Sequence, residues 1–248
     1  MTPTTRRLGW SAALTGLLTA TIALAGGQPA TAADPLLQAP VVGQCFDMDS
    51  TELASAAYTE APVDCGAAHT STTIAVAVLP DGLAYESRGL ARFALETCVP
   101  VQRKVLGTSI RGLRLTAYTL GYFGPTPEQQ AAGARWLRCD LVLGSPDDLQ
   151  PLPAKLRVGS YPFKKSVSRC LAGRDFDLTV CSAKHTYRAT AAITIKADRF
   201  PSETAWKRIG TKRCRTAVTS RTYRFGWPSK VAWKAGDHTL LCYSKTRR

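Results

Sequence analysis

The chain has 248 residues, of which 45% are hydrophobic and 20% charged, and 32 Lys/Arg against 18 Asp/Glu give it a formal net charge of +14. Beyond its first 30 or so residues no apolar run is long enough to cross a bilayer as a helix, which excludes a polytopic α-helical membrane protein. Its eight cysteines include no C-x-x-C pair, which weighs against a thioredoxin-like redox centre and against the usual zinc knuckle.

Residues 1–33 read as a signal peptide. Arg6 and Arg7 precede an apolar, Ala/Leu/Thr-rich run from Leu8 to Gly26, and Ala30-Thr31-Ala32 forms a small-residue cleavage site. The competing reading is an uncleaved anchor, but Gly, Ser and Thr dilute the run. Arg6-Arg7 also leaves Sec and twin-arginine export open. The expected location is extracytoplasmic, secreted or in the cell envelope. There an even cysteine count argues for disulfides.

In chain order, Cys45 lies in VGQCFD (42–47) and Cys65 in VDCGAAHT (63–70). Alternation of Ile74, Val76 and Val78 predicts a strand from Thr72 to Leu79. Leu90, Phe93, Ala94 and Val101 recur at helical spacing around Cys98, with Pro100 expected to limit the helix's regularity near its end. Strands follow in LTAYTLGYF (115–123) and RWLRCDLVL (135–143), the latter holding Cys139. GSPDDLQPLPAK (144–155), with three prolines and no periodicity, reads as part of a linker over 144–157. Past it come Cys170, then Cys181 in VCSAKHT (180–186), and a strand from Arg188 to Lys196. A helix starts at Pro201-Ser202 and carries Trp206, Ile209, Cys214, Ala217 and Val218. The final strands are SRTYRF (220–225) and HTLLCYS (238–244), the latter with Cys242.

The second series echoes the first. Cys65 to Cys98 and Cys181 to Cys214 are both 33 residues apart, and PTPEQQAAGARWLRC (125–139) aligns without a gap on PSKVAWKAGDHTLLC (228–242). The expected fold class is therefore α+β, as two tandem disulfide-stapled modules, 34–143 and 158–248, each one main helix on a small, mostly antiparallel sheet. Four cysteines per module allow three pairings. The favoured one is Cys45–Cys65 with Cys98–Cys139, and Cys170–Cys181 with Cys214–Cys242, because the spacings that differ between modules then fall inside closed loops.

Cys-x-x-x-His occurs twice, with His69 and His185. A metal site or a catalytic pair would need a free thiolate. Cysteines that pair off favour the third reading, a disulfide at a strand start whose histidine bonds nearby backbone and fixes the turn. No catalytic residue, metal or cofactor is expected from these motifs.

VGQCFD, VDCGAAHT, the cysteine-bearing helix and FGPTPEQQAAGARWLRCDL (123–141) together resemble the septum-formation domain of exported and membrane proteins of actinobacteria. Residues 41–143 carry that resemblance well. Residues 158–245 keep the cysteines, His185-Thr186 and Ala235-Gly236 but depart at Thr239, opposite Trp136, and at Val180, opposite Asp64. The resemblance implies a cell-envelope protein associated with division or wall assembly, and implies no catalytic residue.

Charge divides along the chain. Residues 34–150 hold 8 Lys/Arg and 13 Asp/Glu, a net of −5, whereas residues 151–248 hold 22 and 5, a net of +17. That excess is more than solubility requires. Arg208, Lys212 and Arg215 fall on one face of the second helix. Trp227 and Trp233 occupy positions that are not aromatic in the first series, which makes them candidates for stacking on a ligand. The expected function is non-enzymatic binding of an anionic wall polymer or an envelope protein through the basic half, with peripheral contact to an anionic membrane also compatible. Nucleic acid fits the charge but not the export signal. The alternative is a wall hydrolase with an active site in one module, for which the basic half offers Asp175, Asp177, Asp198, Glu203 and Asp237.

Overall fold

A computed structural model describes residues 34–246; the predicted leader, residues 1–33, lies outside the described residues. The described chain mixes helices and sheet in one compact unit. In order its elements are β1 (Cys45–Phe46), α1 (Ser50–Leu53), β2 (Ser71–Val78), α2 (Leu90–Leu106), α3 (Ile110–Arg114), β3 (Tyr118–Phe123), α4 (Pro127–Ala131), β4 (Trp136–Ser145) and β5 (Asp148–Gln150). They continue with β6 (Arg169–Ala172), β7 (Asp177–Val180), β8 (Tyr187–Thr194), α5 (Glu203–Ala217), β9 (Tyr223–Gly226), α6 (Lys230–Lys234) and β10 (Thr239–Lys245).

The strands form two five-stranded sheets. One runs β1-β2-β4-β3 with β5 added to β4; the other runs β7-β6-β8-β10-β9. Every strand pairing in both is antiparallel. In the first sheet Ala75 faces Cys139, Thr73 faces Asp140, and the register shifts between them. In the second sheet Ala191 faces Cys242, Ala189 faces Tyr243, and the register again shifts at that point. A bulge of this kind bends a strand and sharpens its twist locally.

One long helix packs on each sheet. On α2 the residues Ala94, Cys98, Gln102 and Leu106, four apart, form the buried stripe. They meet Ile74, Leu137, Cys139 and Leu141 from the sheet. Pro100 does not end this helix. It and Glu96, whose carbonyl loses its partner, are both exposed, and the helix runs on to Gly107, which closes it in the left-handed region at φ 64°. On α5 the stripe is Trp206, Gly210 and Cys214. Gly210 is required by close approach, because a Cβ there would lie 2.3 Å from the Phe225 ring. Ser202 caps α5 by accepting from Ala205 N, 3.3 Å away.

Disulfides tie these layers together. Cys98 on α2 is bonded to Cys139 on β4, and Cys214 on α5 to Cys242 on β10. Cys45–Cys65 and Cys170–Cys181 close the opening segments of the two sheets. Each such crosslink contributes about 2–4 kcal/mol, largely by restricting the unfolded chain.

Three features differ from the sequence expectations. Short helices accompany the main ones, α1, α3 and α4 in the first half and α6 in the second, and the shared Pro-Thr/Ser…Ala-Gly segments form α4 and α6. Thr126 and Ser229 cap α4 and α6, and Gly133 and Gly236 follow them at φ 102° and 93°, where a Cβ would be strained. Residues 144–157 are not a free tether: β5 pairs with β4, Leu152 N donates to the His69 carbonyl over 2.8 Å, and Leu152 is buried. Prolines here shape an ordered crossing rather than loosening it. The two halves also share a core, since Phe163, Val167 and Val180 pack in one cluster with Leu113, Ala117, Tyr118 and Leu143. Ala117 N donates to Val167 O over 2.8 Å, and Arg169 Nε to Thr116 O over 2.8 Å.

Candidate functional site

The two Cys-x-x-x-His corners have the same local geometry. His69 Nδ1 lies 2.8 Å from the Ala67 carbonyl and His185 Nδ1 lies 2.7 Å from the Ala183 carbonyl, so each ring donates to the carbonyl two residues before it. Following threonines dock on the opening strands, Thr70 N on Phe46 O over 3.1 Å and Thr186 N on Leu171 O over 2.8 Å. The sulfurs of Cys170 and Cys181 and the His185 ring sit within 4.8 Å of one another. Both sulfurs are spent in one disulfide, so this trio offers a single donor, the imidazole. His69 is buried and His185 is half-buried.

That difference in exposure matters because His185 opens onto a cleft of about 990 Å³. Four cations line it, drawn from four separate segments: Lys165 before β6, Arg188 on β8, Arg221 before β9 and Lys245 at the end of β10. Thr190, Thr219, Ser220, Thr222, Ser244 and Thr246 supply hydroxyls, and its lining holds no carboxylate among the described residues. Some hydroxyls are fixed from behind: Thr190 Oγ1 and Ser244 Oγ are 2.9 Å apart, Thr219 N donates to Ser244 Oγ over 3.0 Å, and Lys245 N to Ser220 Oγ over 2.8 Å. Cations that face one cavity without a counter-charge create a positive potential that a bound anion relieves.

Arg208, Lys212 and Arg215 lie together and exposed on α5, around a shallow surface hollow they share with Lys207 and Thr211. Lys207 is partly engaged by Glu203, 2.6 Å away, and that hydrogen bond holds the Glu203 carboxyl below its usual range. Arg213, on the same helix, is exposed too. The tryptophans divide. Trp233 is only 6% exposed, stacked on His238 at 3.8 Å and edge-on to Trp206, so it is core and not a platform for a ligand. An indole aligned on a non-aromatic position was thus a local repacking of the core around the larger Trp206. Trp227 is half-buried, with one face stacked parallel on Trp206 at 5.8 Å.

On the other sheet a different polar cluster is sealed inside. Asp140 is fully buried and Arg138 is 1% exposed. Asp140 accepts from Ser71 Oγ at 3.0 Å, from Thr73 Oγ1 at 2.8 Å, and from both Nε and Nη2 of Arg138. The guanidinium carbon sits 3.9 Å from the Phe46 ring centroid and 5.2 Å and 5.3 Å from those of Tyr58 and Phe123. Burial, with Glu52 and Glu60 nearby, pushes the Tyr58 hydroxyl up to about 12. Arg138 and Asp140 stood in the quoted RWLRCDL strand, but nothing in their spacing distinguished a buried pair from surface charges.

The cleft residues Lys165, Arg188, Arg221 and Lys245 were not legible as a group either. They are up to 80 positions apart, and only the fold of β8, β9 and β10 collects them. Composition registered their sum but not their place. Among the carboxylates of this half, Asp237 is buried, with Oδ2 3.3 Å from Arg114 Nε and Oδ1 accepting from Thr239 N over 3.0 Å. Asp175, Asp177 and Asp198 are exposed and do not line the cleft. No helix among the described residues is long and apolar enough to cross a membrane.

No curated protein and no solved structure matches this chain. A family model described as septum formation matches residues 80–242. The match begins after both opening motifs of the first half and runs from the approach to α2 through to Cys242 on β10, so it takes in parts of both sheets. Covering more than half of the sequence, it shows that the chain belongs to the septum formation family.

Proposed function

We propose that this is a non-enzymatic, extracytoplasmic protein of the cell envelope, exported by its N-terminal signal and acting in septum or wall assembly. Its basic half binds an anionic wall polymer, or a protein partner of like charge, and the same surface can rest on an anionic membrane. The observation that carries this reading is the cleft beside His185, where Lys165, Arg188, Arg221 and Lys245 meet six hydroxyl side chains and no carboxylate. The α5 face adds Arg208, Lys212 and Arg215. Guanidinium and ammonium groups bind polyanions by charge-assisted hydrogen bonds.

The halves 34–143 and 158–248 are, in the same proposal, descendants of one duplicated module of opposite charge. Support comes from the matching strand orders β1-β2-β4-β3 and β6-β8-β10-β9 and from the shared bulge. Equivalent pairings support it as well: Cys45 opposite Thr72 and Cys170 opposite Arg188, Tyr122 opposite Cys139 and Phe225 opposite Cys242.

Sedimentation of the mature chain with purified cell walls tests the binding. Because the halves share a core, the intact protein is used. Binding is expected at 0.1 M salt and loss at 1 M, as the Debye length falls from about 10 Å to about 3 Å. Arg188→Glu with Arg221→Glu and Lys245→Glu is expected to lower retention at least tenfold, and the α5 triple reversal Arg208→Glu, Lys212→Glu, Arg215→Glu less. Retention that survives molar salt, or is unchanged in both triple variants, refutes the proposal. Release of soluble muropeptides from the same walls would make the protein a hydrolase instead.

A further inference from the structure

The junction between the halves holds a second cavity, of about 370 Å³, unrelated to the basic cleft. Its walls come from α2, α3 and β3 on one side and from β6 and the end of α6 on the other. Leu95, Val99, Ile110, Leu113 and Leu120 make it apolar, while Arg103, Arg114, Arg169 and Asp237 bring charge into it. Its volume is at the lower end of the range, about 300–1,000 Å³, in which small-molecule sites fall, and an apolar lining with a few convergent polar groups is their usual character.

Charge in this cavity does not balance. Three guanidinium side chains, Arg103, Arg114 and Arg169, line it with one carboxylate, Asp237, which is paired with Arg114 and already accepts from Thr239 N, while Arg169 Nε is held by the Thr116 carbonyl. Arg114 Nε lies 3.3 Å from Asp237 Oδ2 but is not aligned to donate to it, so this buried nitrogen has no hydrogen-bond partner. Burial presses Arg169 downward in pKa and the neighbouring Arg114 adds to this, against the opposing influence of Tyr243 and Asp237. Tyr118, a further lining residue that is 2% exposed, has a hydroxyl with no partner at all. Buried donors left without acceptors are rare in folded proteins, because each keeps the desolvation cost with no hydrogen bond to offset it. A second anion beside the two guanidiniums would meet that need, and the leucine and valine walls would cover an apolar body attached to it.

We infer that the junction cavity binds a small amphiphilic anion, an apolar chain or ring carrying one carboxylate or phosphate head group, with Arg114 and Arg169 holding the head. This site does not depend on the wall-binding proposal, since none of its residues lines the basic cleft. It sits where β6 and α6 of one half meet α2 and α3 of the other, so occupancy would stiffen the contact between them.

Thermal melting and calorimetric titration of the intact mature chain with octanoate and with octyl phosphate test the inference, with octanol and octylammonium as controls. A saturable rise in melting temperature is expected for the anions and not for the controls, and the stronger of the two anions identifies the head group. Arg114→Gln should weaken the anion at least tenfold. Val99→Trp, which fills the cavity from α2 and leaves the charges in place, should abolish binding; circular dichroism and the melting transition confirm that both variants are folded. The inference is overturned if neither anion binds at millimolar concentration, if octanol binds as well as octanoate, or if folded Val99→Trp binds like the parent protein.

Discussion

Replacing Asp140 by alanine should destabilise the protein more than almost any other single change. Its carboxylate is fully buried and receives hydrogen bonds from Ser71, Thr73 and the guanidinium of Arg138, itself 1% exposed and enclosed by Phe46, Tyr58 and Phe123. Asp140→Ala leaves an uncompensated cation and two hydroxyl donors inside the protein. Breaking a buried pair from one side costs about 3–5 kcal/mol. For a chain of this size each kcal/mol corresponds to about 2–4 °C, so the melting temperature should fall by about 6–20 °C. The second sheet supplies the contrast. Where the first holds Thr73 opposite Asp140 and Arg138 beside it, the second holds Ala189 opposite Tyr243 and Leu241 beside it, an apolar cluster. Removing both charges, as Arg138→Met with Asp140→Leu, should therefore cost less than Asp140→Ala alone, because no ion is stranded. Urea unfolding with disulfides intact measures all the variants and the coupling between the two positions. An Asp140→Ala protein within about 1 kcal/mol of the parent, or a double variant as unstable as the sum of the singles, would show that the pair is solvated and the reasoning wrong.

Two further perturbations probe the corners and the second helix. His69→Ala should cost about 1–3 kcal/mol in the same unfolding assay, since it removes a buried ring bonded to Ala67; His185→Ala, half-exposed, should cost less, and metal content measured by elemental analysis should not change with either. Gly210→Ala should lower stability by about 1–3 kcal/mol, because its methyl would meet Phe225 at 2.3 Å, and a thermal melt unchanged within error would count against that packing.

What could be read from the residues was whatever repeats at short range. Strands β2 and β8 and helices α2 and α5 were visible because apolar residues recur at period 2 or 3.6, and their observed ends lie within a few residues of the expected ones except where α2 runs through Pro100. The favoured cysteine pairs are those found in the structure, and their logic was also local: variable spacings belong in loops. Helices α4 and α6 escaped because five residues carry too little periodicity, although Thr126 and Ser229 with their following glycines were capping signals in plain view. Strand β5 escaped because three prolines outweighed a three-residue strand. Neither the Arg138–Asp140 pair nor the basic cleft had a local signature. Arg138 and Asp140 share a face of β4, but the Ser71, Thr73 and Phe46 contacts that seal them, like the cations of the cleft, come from residues tens of positions apart that register brings together.

Under the proposed duplication, register also accounts for how the two sheets carry opposite charge. A position such as Thr72 or Arg188 faces the opening cysteine of its own sheet, and neither is fully buried. The backbone pairing there is indifferent to the side chain, so threonine on one sheet and arginine on the other cost the fold little. At the pairings Ser71–Val142 and Tyr187–Lys245 the two sheets differ, since Val142 is buried within β4 whereas Lys245 is exposed at the end of β10. Charge could therefore accumulate around the His185 corner without disturbing the cores of α5 or of the Cys214–Cys242 crosslink. The opposite substitution is not free. Val142 is fully buried, so a lysine placed there would carry its charge into the first core. Lys245 is exposed where its counterpart Val142 is buried, and the cations gather beside half-buried His185 and not beside buried His69.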